Sequence, residues 1–341
     1  MRALVKTAFG AGNVTLLSRE VPPLGPRDVL LRVAAAGVCG TDILILQDRV
    51  RIYRPPVILG HNVAGIVAEV GREVTGFASG DRVVVDMNVG ACGRCFYCRS
   101  QREYLCPGRK GLGYGIDGGM ADYLVVGEEW LVRVPDEVSL VEASTLDVCS
   151  AIHTLVDRSA VRYGSSVVIF GPGFQGLSLL QVAKLLGASP IILVGFARHA
   201  ERLELAKRLG ADHVVSADQQ DVGAAVAALT GGSGADVAFE TAGAPAALRD
   251  ALAVVRRGGS VTTVGSLPDE TAIDMHRVVF DEITVRGVRG YTRENVVFYI
   301  SAVRSGRLNV KPLIGTFSLD EWERAFDARV QRKVIGPVLV P

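Results

Sequence analysis

The sequence has almost no excess charge of either sign. Its 37 Lys and Arg against 36 Asp and Glu leave a formal net charge of +1. No global field draws such a chain to nucleic acid or to an anionic membrane, so neither is expected as a partner. It lacks an apolar run long enough to span a bilayer. Its first residues, Met1-Arg2-Ala3-Leu4-Val5-Lys6-Thr7, hold no signal-peptide core. Internal repeats and low-complexity tracts are missing as well. These absences leave a cytoplasmic enzyme acting on a small molecule as the natural class. What is abundant is apolar: 49% of the 341 residues are hydrophobic, ample for the cores of about two domains.

The six cysteines are unevenly spread. Cys92, Cys95, Cys98 and Cys106 crowd together, while Cys39 and Cys149 stand alone. In a reducing compartment such a cluster binds metal rather than forming disulfides. The pattern C-x2-C-x2-C-x7-C lets four thiolates close a tetrahedral zinc site. Four thiolates leave no open position, so this zinc is expected to staple a lobe at about residues 90–108 and to take no part in catalysis. A nucleic-acid zinc module is excluded by the missing second half and the missing basic excess.

The rhythm of the chain changes once. Residues 1–150 read as short strands (Ala3–Lys6, Val29–Ala36, Val63–Val70, Arg82–Asp86, Ala121–Val126) between Pro- and Gly-rich turns, which predicts a β-rich, partly closed barrel. Over 151–287 six strands alternate with helices: Val167–Phe170, Ile191–Val194, His213–Ser216, Val237–Glu240, Val261–Val264 and Ile283–Val285. The helices include Ala200–Leu209 and Ala246–Val255, the latter stopped by Gly258-Gly259. That alternation predicts an α/β domain with a doubly wound parallel sheet. Residues 288–341 read as a helix, a Pro-containing loop, a short helix Leu319–Ala328 and a last strand at Val338-Leu339-Val340.

The stretch Val167–Gly176 organises the second domain. A short apolar run meets Gly171-Pro172-Gly173-Phe174-Gln175-Gly176, and a helical pattern follows. In G-x-G-x-x-G each glycine has its own task. Gly171 permits the tight strand-to-helix turn, Gly173 lets a pyrophosphate approach the backbone, and Gly176 lets helix and strand pack closely. N–H groups at the helix start, around Phe174 and Gln175, then face the anion. The plainer alternative is a structural turn. The strand before and the helix after favour dinucleotide binding. Val264, Gly265 and Ser266, at the end of the fifth strand, either meet the nicotinamide end or form an ordinary strand-to-loop turn.

A second constellation lies in Gly37-Val38-Cys39-Gly40-Thr41-Asp42 and Gly60-His61-Asn62. Cys39 alone reads as a small buried apolar residue, and His61 alone as a structural histidine. Together, each beside glycine and a strand, they suggest a Cys/His metal pair. Thr41 places its hydroxyl near an oxygen held by that metal. A catalytic zinc needs about three protein ligands and an open position. Asp147 and Cys149 are the candidates for the third.

These residues carry a resemblance. The chain resembles the zinc-dependent medium-chain alcohol and polyol dehydrogenases, the group that includes sorbitol and L-threonine dehydrogenases. The resemblance runs nearly the whole length. It rests on Gly37–Asp42, Gly60-His61, the four-cysteine lobe, Asp117–Tyr123, Gly171–Gly176, Leu203–Asp212 and Pro312-Leu313-Ile314. It implies a GroES-like catalytic domain formed by 1–150 and 288–341, interrupted by a Rossmann dinucleotide-binding domain at 151–287. It implies two zincs per chain, a catalytic one on Cys39 and His61 and a structural one on Cys92, Cys95, Cys98 and Cys106. It also implies NAD(P), a homodimer or homotetramer, and hydride transfer between a secondary alcohol, polyol or amino alcohol and its ketone.

The sequence departs from the family pattern in three places. Asn62 stands where glutamate usually follows the histidine. Leu44 stands where many relatives carry a relay histidine, so the proton leaves by another route. Gly195 stands where an acid usually grips the ribose hydroxyls. Without that acid, and with Arg198, His199 and Arg202 nearby, the second strand favours NADP. The third zinc ligand follows from two considerations. By resemblance the offset from His153 selects Asp147. If the segment is helical, Asp147 and Cys149 point to different faces, so only one faces the metal. Thiolate softness argues for Cys149, but offset and geometry favour Asp147. Rival readings are a nucleotide-binding protein with only the structural zinc, kept alive by Asn62 and Leu44, and a zinc-free alkene reductase, opposed by Cys39 with His61. Arg49, Arg51 and Arg54 either bind an anionic group of the substrate or are solvated loop charges, and the second reading is favoured.

Overall fold

The computed structural model describes residues 1–49, 53–268 and 270–341. Arg51 therefore lies outside the described residues. The described chain forms sixteen strands: β1 (Arg2–Lys6), β2 (Val14–Ser18), β3 (Asp28–Gly37), β4 (Val57–Ile58), β5 (Asn62–Val70), β6 (Arg82–Val85), β7 (Tyr123–Gly127), β8 (Leu131–Arg133), β9 (Val167–Phe170), β10 (Ile191–Gly195), β11 (His213–Ser216), β12 (Ala235–Glu240), β13 (Val255–Thr263), β14 (Thr284–Gly287), β15 (Ile314–Ser318) and β16 (Gly336–Val340). They divide between two compact units, Met1–Asp147 with Thr292–Pro341, and Val148–Tyr291.

The first unit is built on β3. Along it Val29, Leu31 and Val33 are buried while Arg32 is exposed, the period of two that a half-buried strand requires. Those residues share a core with Val63, Val67, Val83, Val85 and Leu124. The sheet runs β15-β16-β3-β5-β6-β8 with β7 also on β3, beside a three-stranded sheet β2-β1-β4. The register sets the later chemistry. β3 and β5 are antiparallel and their ladder closes on Gly37↔Asn62. The residues just past Gly37 and just before Asn62 are thereby neighbours, although the two lie in separate motifs.

In the second unit the strand order is β11-β10-β9-β12-β13-β14, all parallel. Counted from β9 this is 3-2-1-4-5-6, the doubly wound dinucleotide-binding order, as expected. β9 is buried at all four residues, as a central parallel strand must be. The order reverses between β9 and β12, so the crevice of the fold opens at their carboxyl ends.

Several local expectations need correction. Gly258-Gly259 does not end a helix. The helix stops at Val254, and the pair lies inside β13, where the register jumps from Ala235↔Val255 to Val237↔Ser260. Residues 256–259 bulge out of the ladder, and Gly258 takes φ +68, which a side chain disfavours. The strand expected at Ala121–Val126 is β7, beginning at Tyr123; Ala121 makes only an isolated bridge to Ala3. The helix expected from Leu319 is a 3-10 turn at Leu319–Glu321 leading into a helix at Trp322–Val330. Strands β2, β4, β8 and β15 gave no sequence signal of their own. They are short, and partners supplied by the sheet hold them.

Candidate active site and metal centres

Two cysteine-bearing clusters have metal-binding geometry. Among the described residues, the groups of three or more potential ligands whose atoms lie within 4.8 Å of one another are Cys92-Cys95-Cys98-Cys106 and Cys39-His61-Asp147. In the first, the Cys95 and Cys98 sulfurs are 3.5 Å apart and those of Cys92 and Cys98 3.9 Å. A ZnS4 tetrahedron with bonds of 2.3 Å has edges of about 3.8 Å, so the donor set fits zinc. None of the six cysteines is in a disulfide, so a disulfide is not the reason for the clustering. Main-chain N–H groups of Arg94 and Cys95 donate to Cys92 and hold its thiol down at about 6. Burial pushes the Cys98 thiol up to about 12.

The second cluster is assembled from three separate segments. Cys39 caps the helix Gly40–Leu46. Its N–H donates to Asp42 Oδ2 at 2.8 Å, which fixes the turn. His61 follows Gly60, whose φ of +94 lets the chain bend into β5; a Cβ there would sit 2.8 Å from Met120 N. The Asp117–Met120 motif clamps this bend. Gly118, Gly119 and Met120 donate to Ile58 O, Gly60 O and Leu59 O at 2.8, 2.9 and 2.8 Å, and Ile58 N–H donates to Asp117 Oδ1 at 2.9 Å. Asp147 arrives on the segment after the helix Leu140–Ala143. Gly37 admits that segment: a Cβ on it would lie 3.0 Å from Ser144 O. Tyr299 holds the segment in place, its hydroxyl 2.6 Å from both Thr145 Oγ1 and Glu142 O.

The result brings Cys39 Sγ to 3.3 Å from Asp147 Oδ1. Asp42 Oδ1 stands 3.6 Å from His61 Nδ1, too far for a hydrogen bond, and both atoms are buried without a partner. Burial alone would disfavour a proton on His61. The charges of Asp42 and Cys39 outweigh it and hold the ring's pKa well above the ordinary histidine value. A buried imidazole facing a thiol and two carboxylates is an environment made for a cation. Neither metal-binding group includes Cys149 or His153. Cys149 is fully buried two residues along the helix from Asp147, and His153 Nδ1 is 2.8 Å from Asp157 Oδ2. Thr41 Oγ1 is 3.9 Å from Cys39 Sγ. Asn62 is buried with its Oδ1 unpartnered. Arg49 and Arg54 are exposed.

The glycine loop of the second unit behaves as its spacing requires. Gly171 has φ +114, and a Cβ on it would meet Thr241 Oγ1 at 2.9 Å. A Cβ on Gly176 would lie 1.9 Å from Gly171 O, so helix and strand touch there. A Cβ on Gly173 would meet nothing within 4 Å, leaving open space in front of the helix Phe174–Leu185. Gly195 ends β10, and a Cβ there would crowd Leu203 Cδ2 at 2.9 Å and Pro172 Cγ at 3.0 Å. A side chain at 195 therefore requires Leu203 and Pro172 to give way. The Arg198 guanidinium lies 4.2 Å over the exposed Phe196 ring. Val264, Gly265 and Ser266 abut the loop after β12: a Cβ on Gly265 would meet Gly243 N at 2.4 Å.

Two residues that sequence reasoning missed hold these loops and turns. Asp42 braces Cys39 by a hydrogen bond and faces the His61 ring with its charge. Glu240, fully buried at the end of β12, accepts from Ala242, Gly243 and Ala244 N–H at 2.8, 2.7 and 3.3 Å and from Thr263 Oγ1 at 3.3 Å. An acid at the end of an apolar strand was the available signal.

Comparison with known proteins agrees with this architecture. Residues 25–136 match the model of the alcohol dehydrogenase GroES-like domain and 176–303 that of the zinc-binding dehydrogenases. A sorbitol dehydrogenase of Halalkalibacterium halodurans is 33% identical over 100% of this chain and 99% of its own length. An L-threonine 3-dehydrogenase of Pyrococcus abyssi is 36% identical over 96% of this chain and 94% of its own. A crystal structure bound to NADP, described as a zinc-binding dehydrogenase of Sinorhizobium meliloti, superimposes with a TM-score of 0.93 at 30% identity, covering 100% of this chain and 99% of that one. No helix of the described residues is long and apolar enough to cross a membrane. A likeness that runs the full length of both partners, and not through one domain alone, makes this chain a member of the zinc-dependent medium-chain alcohol and polyol dehydrogenases, oxidoreductases that move a hydride between an alcohol and its ketone with NAD(P).

Proposed function

We propose that the protein oxidises the secondary hydroxyl of a polyol or amino alcohol, or reduces the matching ketone, at a zinc held by Cys39, His61 and Asp147. The observation that carries this is the convergence of those three donors within 4.8 Å. A second zinc, on Cys92, Cys95, Cys98 and Cys106, is structural. Three protein donors leave a position for substrate, whereas four thiolates close theirs.

The residues divide the work. Asp42, facing Nδ1, would leave His61 Nε2 as the ligand atom. Cys39 and Asp147 bring the negative charge that retains a divalent cation. Zinc bound there supplies the Lewis acidity that lowers the pKa of the substrate hydroxyl. Thr41 accepts the hydrogen bond of that hydroxyl and passes the proton outward; Leu44 adds no titratable group to the route. A nicotinamide cofactor bound in the second unit would supply the acceptor for the hydride. Gly171, Gly173, Phe174, Gln175 and Gly176 hold the cofactor's pyrophosphate on the helix start. Gly195 and Arg198 favour NADP, while Val264, Gly265 and Ser266 meet the nicotinamide end. The enzyme works in the cytoplasm as a homodimer or homotetramer. Exposed Met275, Val279 and Phe280, on the helix Met275–Phe280, suit a second copy.

Metal analysis of two variants, with activity on a panel of polyols, amino alcohols and simple secondary alcohols, tests the reading. Asp147→Ala is expected to keep one zinc per chain and lose nearly all turnover, and Cys149→Ser to keep two zincs and activity. The reverse pattern transfers the ligand role to Cys149. One zinc in the unaltered protein, with no turnover on any alcohol, would leave a nucleotide-binding protein.

A further inference from the structure

The cofactor reading uses the carboxyl ends of the parallel strands. Their amino ends are built quite differently. There a cavity of about 600 Å³ is lined by Arg158, Arg162, Arg256, Arg286, Asp236 and Ser260, among others. It lies in the second unit, at the beginnings of β9, β12, β13 and β14. Four-residue β9 separates this end from Gly171, a span of about 13 Å. The bulge at 256–259 shapes one wall. Gly258 N–H donates to Asp281 O at 2.7 Å and holds the bulge open.

The charge of the cavity is one-sided. Asp236 is the single carboxylate of the lining against four guanidinium groups. It is also already engaged. Its Oδ2 accepts from Ser166 N–H and Ser166 Oγ at 2.8 Å each, and its Oδ1 accepts from Arg256 Nε at 2.7 Å. Arg162 and Arg286 donate to main-chain carbonyls, of Val161 and Arg158. Among the described residues no carboxylate pairs with either. Ser260 is 8% exposed, and its Oγ has no hydrogen-bond partner. Arg162, Arg256 and Arg286 are exposed and, with Arg158, give the lining a net positive charge, to which Ser260 adds a hydroxyl donor. An anion supplies both the countercharge and the acceptor. Guanidinium forks suit phosphate oxygens, and the volume exceeds that of a single phosphate and falls in the range of small-molecule sites.

We propose that this cavity binds a second phosphate-bearing molecule, a small polyanion with at least two phosphate groups, independently of the nicotinamide cofactor. The test is calorimetric titration of inorganic pyrophosphate into the zinc-replete enzyme, first saturated with NADPH or NADH, whichever binds tighter. Saturation removes the cofactor's own pyrophosphate site from the measurement. One further pyrophosphate per chain is expected, weakening steeply with added salt. Arg162→Ala with Arg286→Ala should weaken it at least tenfold while zinc content and cofactor affinity stay unchanged. Arg162→Ala alone, a change at an exposed residue, should weaken it severalfold with Tm within about 2 °C of the parent. Loss of all pyrophosphate binding once cofactor is bound would overturn the proposal, because the cofactor site would account for everything. Equal affinity in the variants and the unaltered enzyme would overturn it as well.

Discussion

Replacing Glu240 should separate a buried anchor from the two loops it holds. Its side chain accepts from Ala242, Gly243 and Ala244 N–H and from Thr263 Oγ1, and its own carbonyl accepts from Val264 and Gly265 N–H at 2.9 and 3.2 Å. One residue therefore ties together the loops after β12 and β13. Hydrogen bonds to a charged group contribute about 1.5–3 kcal/mol each. Glu240→Ala strands the donors, and water reaches them in part because Ala242 is exposed. A total cost of about 3–5 kcal/mol follows, or a fall in Tm on the order of 10 °C. Glu240→Gln keeps an acceptor toward the three N–H groups, and its amide can donate to Thr263 Oγ1. Its cost should stay at about 1–2 kcal/mol. Thermal melts, with NADH and NADPH titrations, check both variants. Cofactor affinity should drop about tenfold or more in the alanine variant and only about threefold in the glutamine one, a loss of ~1.4 against ~0.6 kcal/mol. The anchor role fails if Glu240→Ala melts and binds cofactor like the parent. It fails too if the glutamine variant is as damaged as the alanine one. Because the glutamine side chain fits the same space, it gives a readout even where the alanine variant does not fold.

Three other outcomes can be measured directly. A chelator titration should abolish activity before it lowers Tm, because the Cys39–His61–Asp147 site is open while the four-thiolate site is closed; parallel loss at every dose counts against two distinct sites. Arg198→Ala should raise the KM for NADP far more than that for NAD, and equal effects would remove the 2′-phosphate argument. Asp86 makes a pH prediction. Burial pushes its carboxyl up to about 6, against an N–H from Asn88 and the charge of Arg293. A raised carboxyl binds its proton more tightly folded than unfolded, so the contribution of Asp86 to stability is full below about pH 4 and is lost as the pH rises to about 6. Asp86→Asn should therefore stabilise the protein by about 2–3 kcal/mol at pH 7.5 and by almost nothing at pH 4, read from urea unfolding at the two pH values. A gain of the same size at both pH values would rule out ionisation as its source.

Local patterns in the sequence were enough for much of this molecule. Gly171 and Gly176 declare the turn and the close packing by spacing, because a strand, a tight turn and a helix start are decided over ten residues of chain. The four-cysteine lobe is legible for the same reason: short spacings leave the thiolates few ways to meet except around one ion. The strand–helix alternation that predicts the parallel sheet is also local, since apolar period follows from backbone geometry. Short edge strands such as β8 were not legible, because neighbouring strands supply what their own residues do not.

What tertiary structure alone decided is which distant groups meet. Cys39 and Asp147 lie 108 positions apart in the chain yet 3.3 Å apart in space. Helical spacing separated Asp147 from Cys149 but could not say which side of that helix faced Cys39. The answer came from the β3–β5 register that ends at Gly37↔Asn62, from the missing Cβ of Gly37, and from Tyr299 holding the segment down. The same holds for Gly258-Gly259, a helix stop by sequence and a bulge in the sheet, because a glycine pair states only that the chain bends. The arginine cavity follows the same rule. Its four guanidiniums are scattered from Arg158 to Arg286, and only parallel strands starting at a common edge gather them. Sequence specifies what each residue can do over the few neighbours its backbone reaches; sheet register and close packing choose the partners beyond that range.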